Sequence, residues 1–312
     1  MNKRTTNDPS TRFGAGERRT ASNVYAVILV GGKGKRLRPL STSKKPKAFL
    51  SVTKDCKTMF KRTIDRVSRF VRPENIIVVA NKMHERLVKT DFRGVGKDNL
   101  LLEPVSRNTA PAIAYAASTL MARSIDAVMV VIPTDQYIVD EGGYFDTIKI
   151  GIEFASENDV LIVLGVKPRF PSTQFGYIKI DEPEHRIQKV FKVTKFTEKP
   201  DTKLAWRYFN DRQYLWNTGA FVFRASSVLS AMKKCAPKVY AAAQDLRHVG
   251  RNYRAAPDIS IDYAVLEKAD NIYCVRGDYA WQDMGSFRTL ADILKRESRD
   301  FVVRGEKVIK IL

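Results

Sequence analysis

The chain has 312 residues, 44% of them hydrophobic and 28% charged, and its 54 Lys+Arg against 34 Asp+Glu give a formal net charge of +20. That length suits one large α/β domain or one domain with an appendage, and no apolar run nears the 18 or so residues that a membrane-spanning helix needs. Three scattered cysteines (Cys56, Cys235, Cys274) fit neither a disulfide framework nor a CxxC zinc site and suggest a reducing compartment. Three scattered histidines (His84, His185, His248) leave little for a histidine metal centre or a Ser-His-Asp hydrolase.

Residues 1–22 are polar, with scattered Gly, Pro and Arg, and read as a disordered lead-in without a secretory signal, so a cytoplasmic protein is expected. A domain over 23–298 follows. Short apolar runs at 25–30, 75–80, 127–132 and 160–165 are too short for helices and are separated by crossover lengths, which predicts buried parallel strands. A helix is expected over 110–123, with Thr109 as its N-cap and Pro111 in its first turn. Runs at 176–180, 190–196 and 219–224 read as a mixed extension of the sheet, with helices around 202–209, 226–247 and 285–297. Residues 299–312 read as a short C-terminal β element, two strands around Arg304-Gly305. The expected fold class is therefore α/β, a Rossmann-like mixed, mostly parallel sheet flanked by helices.

The first strand runs into GGKGKRLRPL at 31–40 and STSKKPKAFL at 41–50. Gly31, Gly32 and Gly34 can bring backbone N–H groups close to an anion at the carboxyl edge of the sheet. Neither nucleotide fingerprint fits: GxGxxG needs a glycine where Leu37 stands, and the Walker pattern needs Lys then Ser/Thr where Lys35 and Arg36 stand. Lys33, Lys35, Arg36, Arg38, Lys44, Lys45 and Lys47 are accompanied by no acid. A solvated basic loop is the plain alternative, but the glycines favour a phosphate loop, with Arg36 as a forked donor and Lys47 as a point charge. Asp135 directly follows the third strand and emerges on the same sheet edge, where it could hold a metal or merely cap a turn.

The pattern GG-x-G-x-RL-x-PL-S followed by KPK-x-FL resembles the signature of the sugar-phosphate nucleotidyltransferases, most closely those that use GTP and mannose 1-phosphate. EPVSRNTAPAIAYAA at 103–117, PTDQYI at 133–138, FGYIKI at 175–180, FTEKPD at 196–201, WNTGAFVFR at 216–224, SIDYAVLEK at 260–268 and WQDMGS at 281–286 are similar to that family's successive motifs, in order. The resemblance covers roughly residues 24–290 and implies the nucleotide-diphospho-sugar transferase fold. It also implies attack of a sugar phosphate on the α-phosphorus of a nucleoside triphosphate, with Mg²⁺ on Asp135 and Asp283. By the same resemblance Lys199 meets the sugar phosphate, Glu198, Gly176, Asn217 and Asp262 meet the sugar, and Glu103 reads guanine with Arg107, Asn108 and Thr109 beside it.

Other readings stay open. The loop and carboxylates are shared by transferases of other bases and hexoses, and a non-catalytic regulatory paralogue would keep the fold. A nucleic-acid binder would interleave aromatics with Lys/Arg, and no such stretch occurs, so neither nucleic acid nor membrane is expected as a partner. The unusually basic loop and the hairpin-sized C-terminus depart from the family pattern, and whether the chain forms a homodimer stays open. The full +20 exceeds what one triphosphate explains.

Overall fold

The computed structural model describes residues 23–32, 34–181, 189–304 and 307–311; the lead-in 1–22, Lys33, His185 and Gly305 lie outside them. Strand β1 (Val24–Val30) alternates between two cores: Ala26, Ile28 and Val30 face one, Val27 and Leu29 the other. It pairs in parallel with β2 (Ile76–Asn81), which continues to β3 (Leu100–Glu103), and on its other side with β4 (Val128–Pro133). A strand covered on both faces needs an unbroken apolar run, which is why these segments were legible. Helices α1 (Met59–Val67), α2 (Glu85–Asp91) and α3 (Thr109–Met121) make the crossovers, α1 on the first face and α3 on the second.

A short β5 (Gln136–Ile138) precedes α4 (Glu141–Glu157), and β6 (Leu161–Val166), β7 (Tyr177–Ile180) and β8 (Val190–Thr197) follow. Helix α5 (Thr202–Phe209) then leads into β9 (Tyr214–Arg224). After it come α6 (Ala225–Cys235), α7 (Pro237–Gln244) and α8 (Val249–Ala255), then β10 (Ile272–Gly277) and β11 (Trp281–Asp283). Helix α9 (Phe287–Arg296) and the hairpin β12 (Phe301–Arg304) and β13 (Lys307–Ile311) complete the described chain. The large sheet runs β3-β2-β1-β4-β9-β6-β10-β8-β7, and only β9 and β8 oppose the common direction.

Three expectations need correction. The 219–224 run is no peripheral extension: β9 starts five residues earlier and lies in the centre of the sheet, antiparallel to both β4 and β6. Its middle residues Asn217-Thr218-Gly219 are polar and broke the apolar pattern. The helix expected over 226–247 is two, because Pro237 lacks an N–H and clashes inside a helix but suits a first turn. Asn108 rather than Thr109 caps α3; it sits at φ +66°, a conformation asparagine tolerates, and its side chain accepts from the Thr109 N–H. A third, smaller core joins Leu37 and Leu50 of the signature segment to Met284, to Leu290, Ile293 and Leu294 of α9 and to Val308. Among the described residues no helix is long and apolar enough to cross a membrane.

Candidate active site

The turn after β1 is built on its glycines. A Cβ at Gly31 or Gly32 would meet nothing within 4 Å, so this backbone faces open space at the sheet edge. Gly34 is different: it sits at φ +56°, and a Cβ there would stand 2.7 Å from Ser41 Oγ and 3.3 Å from Lys47 Cβ. Ser41 Oγ donates to the Gly34 carbonyl at 2.6 Å and the Leu37 N–H donates to it at 2.8 Å, folding the loop back over Lys47. Ser41 is the final residue of the GG-x-G-x-RL-x-PL-S signature, although it was not singled out as a site residue.

Lys47 is buried, and its Nζ lies 2.7 Å from Asp135 Oδ2 and 3.5 Å from Asp283 Oδ1. No spacing argument linked these two carboxylates; the ribbon of β5 and β11 does. Asp283 stands opposite Gln136 in the antiparallel register, and the Met284 N–H donates to the Asp135 carbonyl at 3.0 Å. Burial works against the Lys47 charge, but the two carboxylates outweigh it and hold the ammonium above its ordinary value. Burial pushes Asp135 up, yet Lys47 wins and keeps it below the usual carboxylate range; at Asp283 burial, reinforced by Asp135, wins and keeps that carboxyl above it. Two carboxylates converging on one cation, with an excess of like charge between them, fit a hard divalent ion completed by phosphate oxygens and water. Among the described residues no group of three or more His, Cys, Asp or Glu gathers for a metal, so such an ion would depend on its substrates for the rest of its shell.

Arg36 donates through Nη1 to Gln174 Oε1 at 2.8 Å. A Cβ at Gly285 would collide with Asp283 Oδ2 and fall 3.1 Å from Arg36 Nη2, so that glycine lets the guanidinium approach the carboxylate. Gln174 and Gly285 were not singled out from the sequence, although Gly285 sits inside the WQDMGS motif.

At one end of the cleft, Lys199 holds φ +47° and its Nζ pairs with Glu198 Oε1. A Cβ at Gly176 would stand 2.5 Å from Glu198 Oε2, so a side chain there would push that carboxylate aside. The Gly176 carbonyl accepts from the Asn217 N–H at 2.8 Å, and Asn217 Nδ2 donates to Asp262 Oδ1 at 3.0 Å, across the opening of a π-helical turn over Asp262–Leu266. Burial, together with the Asp262 charge, raises the Glu198 carboxyl to about 6, and burial likewise raises Asp262.

At the other end Glu103 closes β3. The Tyr253 hydroxyl donates to its Oε1 at 2.5 Å and the Arg107 backbone N–H also reaches the carboxyl, while burial raises its pKa. Thr109 Oγ1 accepts from the Ile261 N–H at 2.9 Å. The Arg107 guanidinium donates to the Arg254 carbonyl and does not line the cleft, so its side chain stands apart from the expected base contact. The cleft measures about 380 Å³; of the residues expected in it, only Gly34, Lys47 and Arg107 do not line it, Lys47 reaching it through its contacts with Asp135 and Asp283.

A sequence profile described as Nucleotidyl transferase matches residues 25–299. The chain belongs to this family. The nucleotidyl transferase chain is 35% identical over 295 residues to mannose-1-phosphate guanylyltransferase RfbM of Salmonella typhimurium, covering 90% of this chain and 60% of that protein. It is 33% identical over 296 residues to the alginate biosynthesis protein AlgA of Pseudomonas aeruginosa, covering 91% and 61%. It thus spans about three fifths of the length of these curated relatives. The crystal structure described as mannose-1-phosphate geranyltransferase from Thermus thermophilus superposes with a TM-score of 0.80 at 30% identity, covering 91% of this chain and 83% of that one. The architecture is accordingly the nucleotide-diphospho-sugar transferase fold of this nucleotidyl transferase family, as the motifs implied.

Proposed function

We propose that the protein transfers GMP from GTP to α-D-mannose 1-phosphate, giving GDP-mannose and pyrophosphate. One observation carries the reading: Asp135 and Asp283, from different elements, share one ammonium beneath the glycine loop, in a cleft with a buried carboxylate at each end. The names of the relatives from Salmonella typhimurium and Thermus thermophilus support a mannose 1-phosphate substrate, and the first also supports a guanylyl donor. The unpaired cysteines support work in a reducing compartment, the cytoplasm.

In this reaction an oxygen of the sugar phosphate attacks the α-phosphorus of GTP. The bond from that phosphorus to the bridging oxygen breaks, and the electron pair leaves with pyrophosphate. The nucleophile is already ionised, so no side chain has to remove a proton, and alignment and charge neutralisation are what the protein supplies. Gly31, Gly32 and Gly34 present backbone to the phosphates, and Arg36, braced by Gln174, takes the polyphosphate. Bound on Asp135 and Asp283, Mg²⁺ would neutralise charge on the triphosphate and on the leaving pyrophosphate. Lys199 serves the sugar phosphate, while Glu198, Asp262 and Asn217 receive the sugar hydroxyls. Glu103 accepts from the N1–H and 2-amino group of guanine, a pair of donors adenine does not offer. Arg107 contributes its backbone N–H to that carboxylate.

The test is pyrophosphate release with Mg²⁺ over four nucleoside triphosphates against mannose, glucose and N-acetylglucosamine 1-phosphates, with Asp135→Ala as control. Release confined to GTP with mannose 1-phosphate and lost in the variant is the expected result. Release with another pair overturns the base or sugar assignment, and silence from the folded protein overturns the catalytic reading in favour of a non-catalytic paralogue.

A further inference from the structure

Resting on the reading of Glu103 as the base acceptor, we infer that Tyr253 is a positioning residue for base recognition, its hydroxyl fixing Glu103 as an acceptor-only group. Tyr253 is fully buried in α8, and its ring meets Tyr115 of α3 edge-on at 6.0 Å. Packing at that position asks only for the ring; a phenylalanine would fill it. The hydroxyl is explained by its 2.5 Å hydrogen bond to Glu103 Oε1, which joins residues 150 positions apart.

The next residue strengthens the case. The Arg254 carbonyl takes the Arg107 guanidinium, so α8 grips the Glu103–Arg107 segment at both ends. Farther along, the Ala110 N–H donates to the Ile259 carbonyl at 3.2 Å and the Ile261 N–H donates to Thr109 Oγ1 at 2.9 Å. Residues 253–261 therefore lie along the whole base-reading segment.

An ionised carboxylate offers about four lone-pair sites. Tyr253 and the Arg107 N–H occupy two, and the two that remain match the N1–H and 2-amino donors of guanine. If the carboxyl took up a proton it would instead offer a donor, the partner that adenine N1 wants. The titratable group facing it is Tyr253 from α8; Tyr115 from α3 and the Arg107 guanidinium act on Tyr253 in turn, the guanidinium being turned to the Arg254 carbonyl. Burial favours the protonated form here and the phenol hydrogen bond opposes it, so losing the hydroxyl raises the pKa of Glu103.

The experiment measures kcat and KM for GTP, ITP and ATP as a function of pH in the wild type, Tyr253→Phe, Glu103→Gln and the double variant, with thermal unfolding alongside. Tyr253→Phe keeps the ring and the buried volume. It should raise the KM for GTP roughly tenfold with kcat changed less than about twofold, the loss of one hydrogen bond to a charged group. The GTP-to-ATP preference should narrow, the acid limb of kcat/KM for GTP should move to higher pH, and ITP, which keeps N1–H but lacks the 2-amino group, should lose less than GTP. The double variant should be no worse for GTP than Glu103→Gln alone. An equal change for all three nucleotides with an unmoved acid limb would assign Tyr253 a merely structural part and overturn the inference. If Glu103→Gln changes base preference and Tyr253→Phe does not, this inference alone fails. If Glu103→Gln leaves GTP binding untouched, the reading of Glu103 fails and the inference with it.

Discussion

Glu198 and Asp262 are two carboxylates pressed into one end of the cleft, where the Asp262 charge adds to burial in raising the Glu198 carboxyl. The folded Glu198 carboxyl titrates at about 6 against an ordinary 4.5, so between those values the native state binds more protons than the unfolded chain. Its contribution favours folding below that window and is lost as pH rises through about 6. Glu198→Gln should therefore stabilise the protein by about 1–2 kcal/mol at neutral pH, vanishing at low pH. A rise of a few degrees in Tm checks it, together with a KM for the sugar phosphate raised roughly tenfold. Gly176→Ala should disturb the same carboxylate from the other side: a Cβ there would stand 2.5 Å from Glu198 Oε2, so the KM for the sugar phosphate should rise while that for GTP stays. A parallel rise in both would place Glu198 elsewhere in the chemistry. At this scale the sequence was informative about position, as at Asp135, which lies in the cleft at the sheet edge where its place after a strand put it. It misled at Arg107, where only the guanidinium's partner, a backbone carbonyl 147 positions away, reveals its direction.

The ribbon of β5 and β11 shows what a short element can contribute. Each strand is three residues long, below what periodicity can detect, yet their pairing brings Asp283 to Asp135. Gly285→Ala should push the Asp283 carboxylate aside and lower kcat by about a hundredfold or more with the circular dichroism spectrum unchanged; unimpaired turnover would remove Asp283 from the site. The helix immediately after has a different job. Ser286 caps α9 by accepting from the Thr289 N–H, so Ser286→Ala should cost about 1 kcal/mol and lower Tm by a few degrees while kcat at 25 °C holds. The helix break at Pro237 was missed, although the proline marks it. The centre of β9 was missed too, because Asn217, Thr218 and Gly219 serve the cleft and interrupt the strand's apolar pattern.

On the scale of the whole molecule, part of the positive charge is gathered on one shoulder. Lys82, Arg86, Lys89 and Arg93 line one open hollow on and around α2, and the one acid among its lining residues, Glu85, is paired with Lys89 at 2.6 Å. His84, in the turn leading into α2, lies 3.2 Å from the Ser43 carbonyl, which sets exposed Lys44 and Lys45 beside this shoulder and joins it to the signature loop. On the proposed function, a basic shoulder beside the signature loop would raise the local concentration of an anionic substrate. The kcat/KM for GTP should therefore fall severalfold as ionic strength rises past the point where the screening length is about 10 Å, and Arg86→Glu with Arg93→Glu should flatten that dependence without lowering kcat. An unchanged salt profile in the double variant would detach the shoulder from catalysis.

The place of β9 also sets the order in which the molecule can come into being. When β4 and β6 have left the ribosome, β4 has one bare edge and β6, whose other partner β10 starts only at Ile272, has two, and the strand that joins them begins only at Tyr214. Until then the nascent chain carries unpaired apolar edges, the situation in which chaperones are recruited and chains pair wrongly. That same late strand brings Asn217 to Gly176 and Asp262. The chain thus has no complete cleft before its sheet is closed, and ligand binding can reward only those copies that have finished folding.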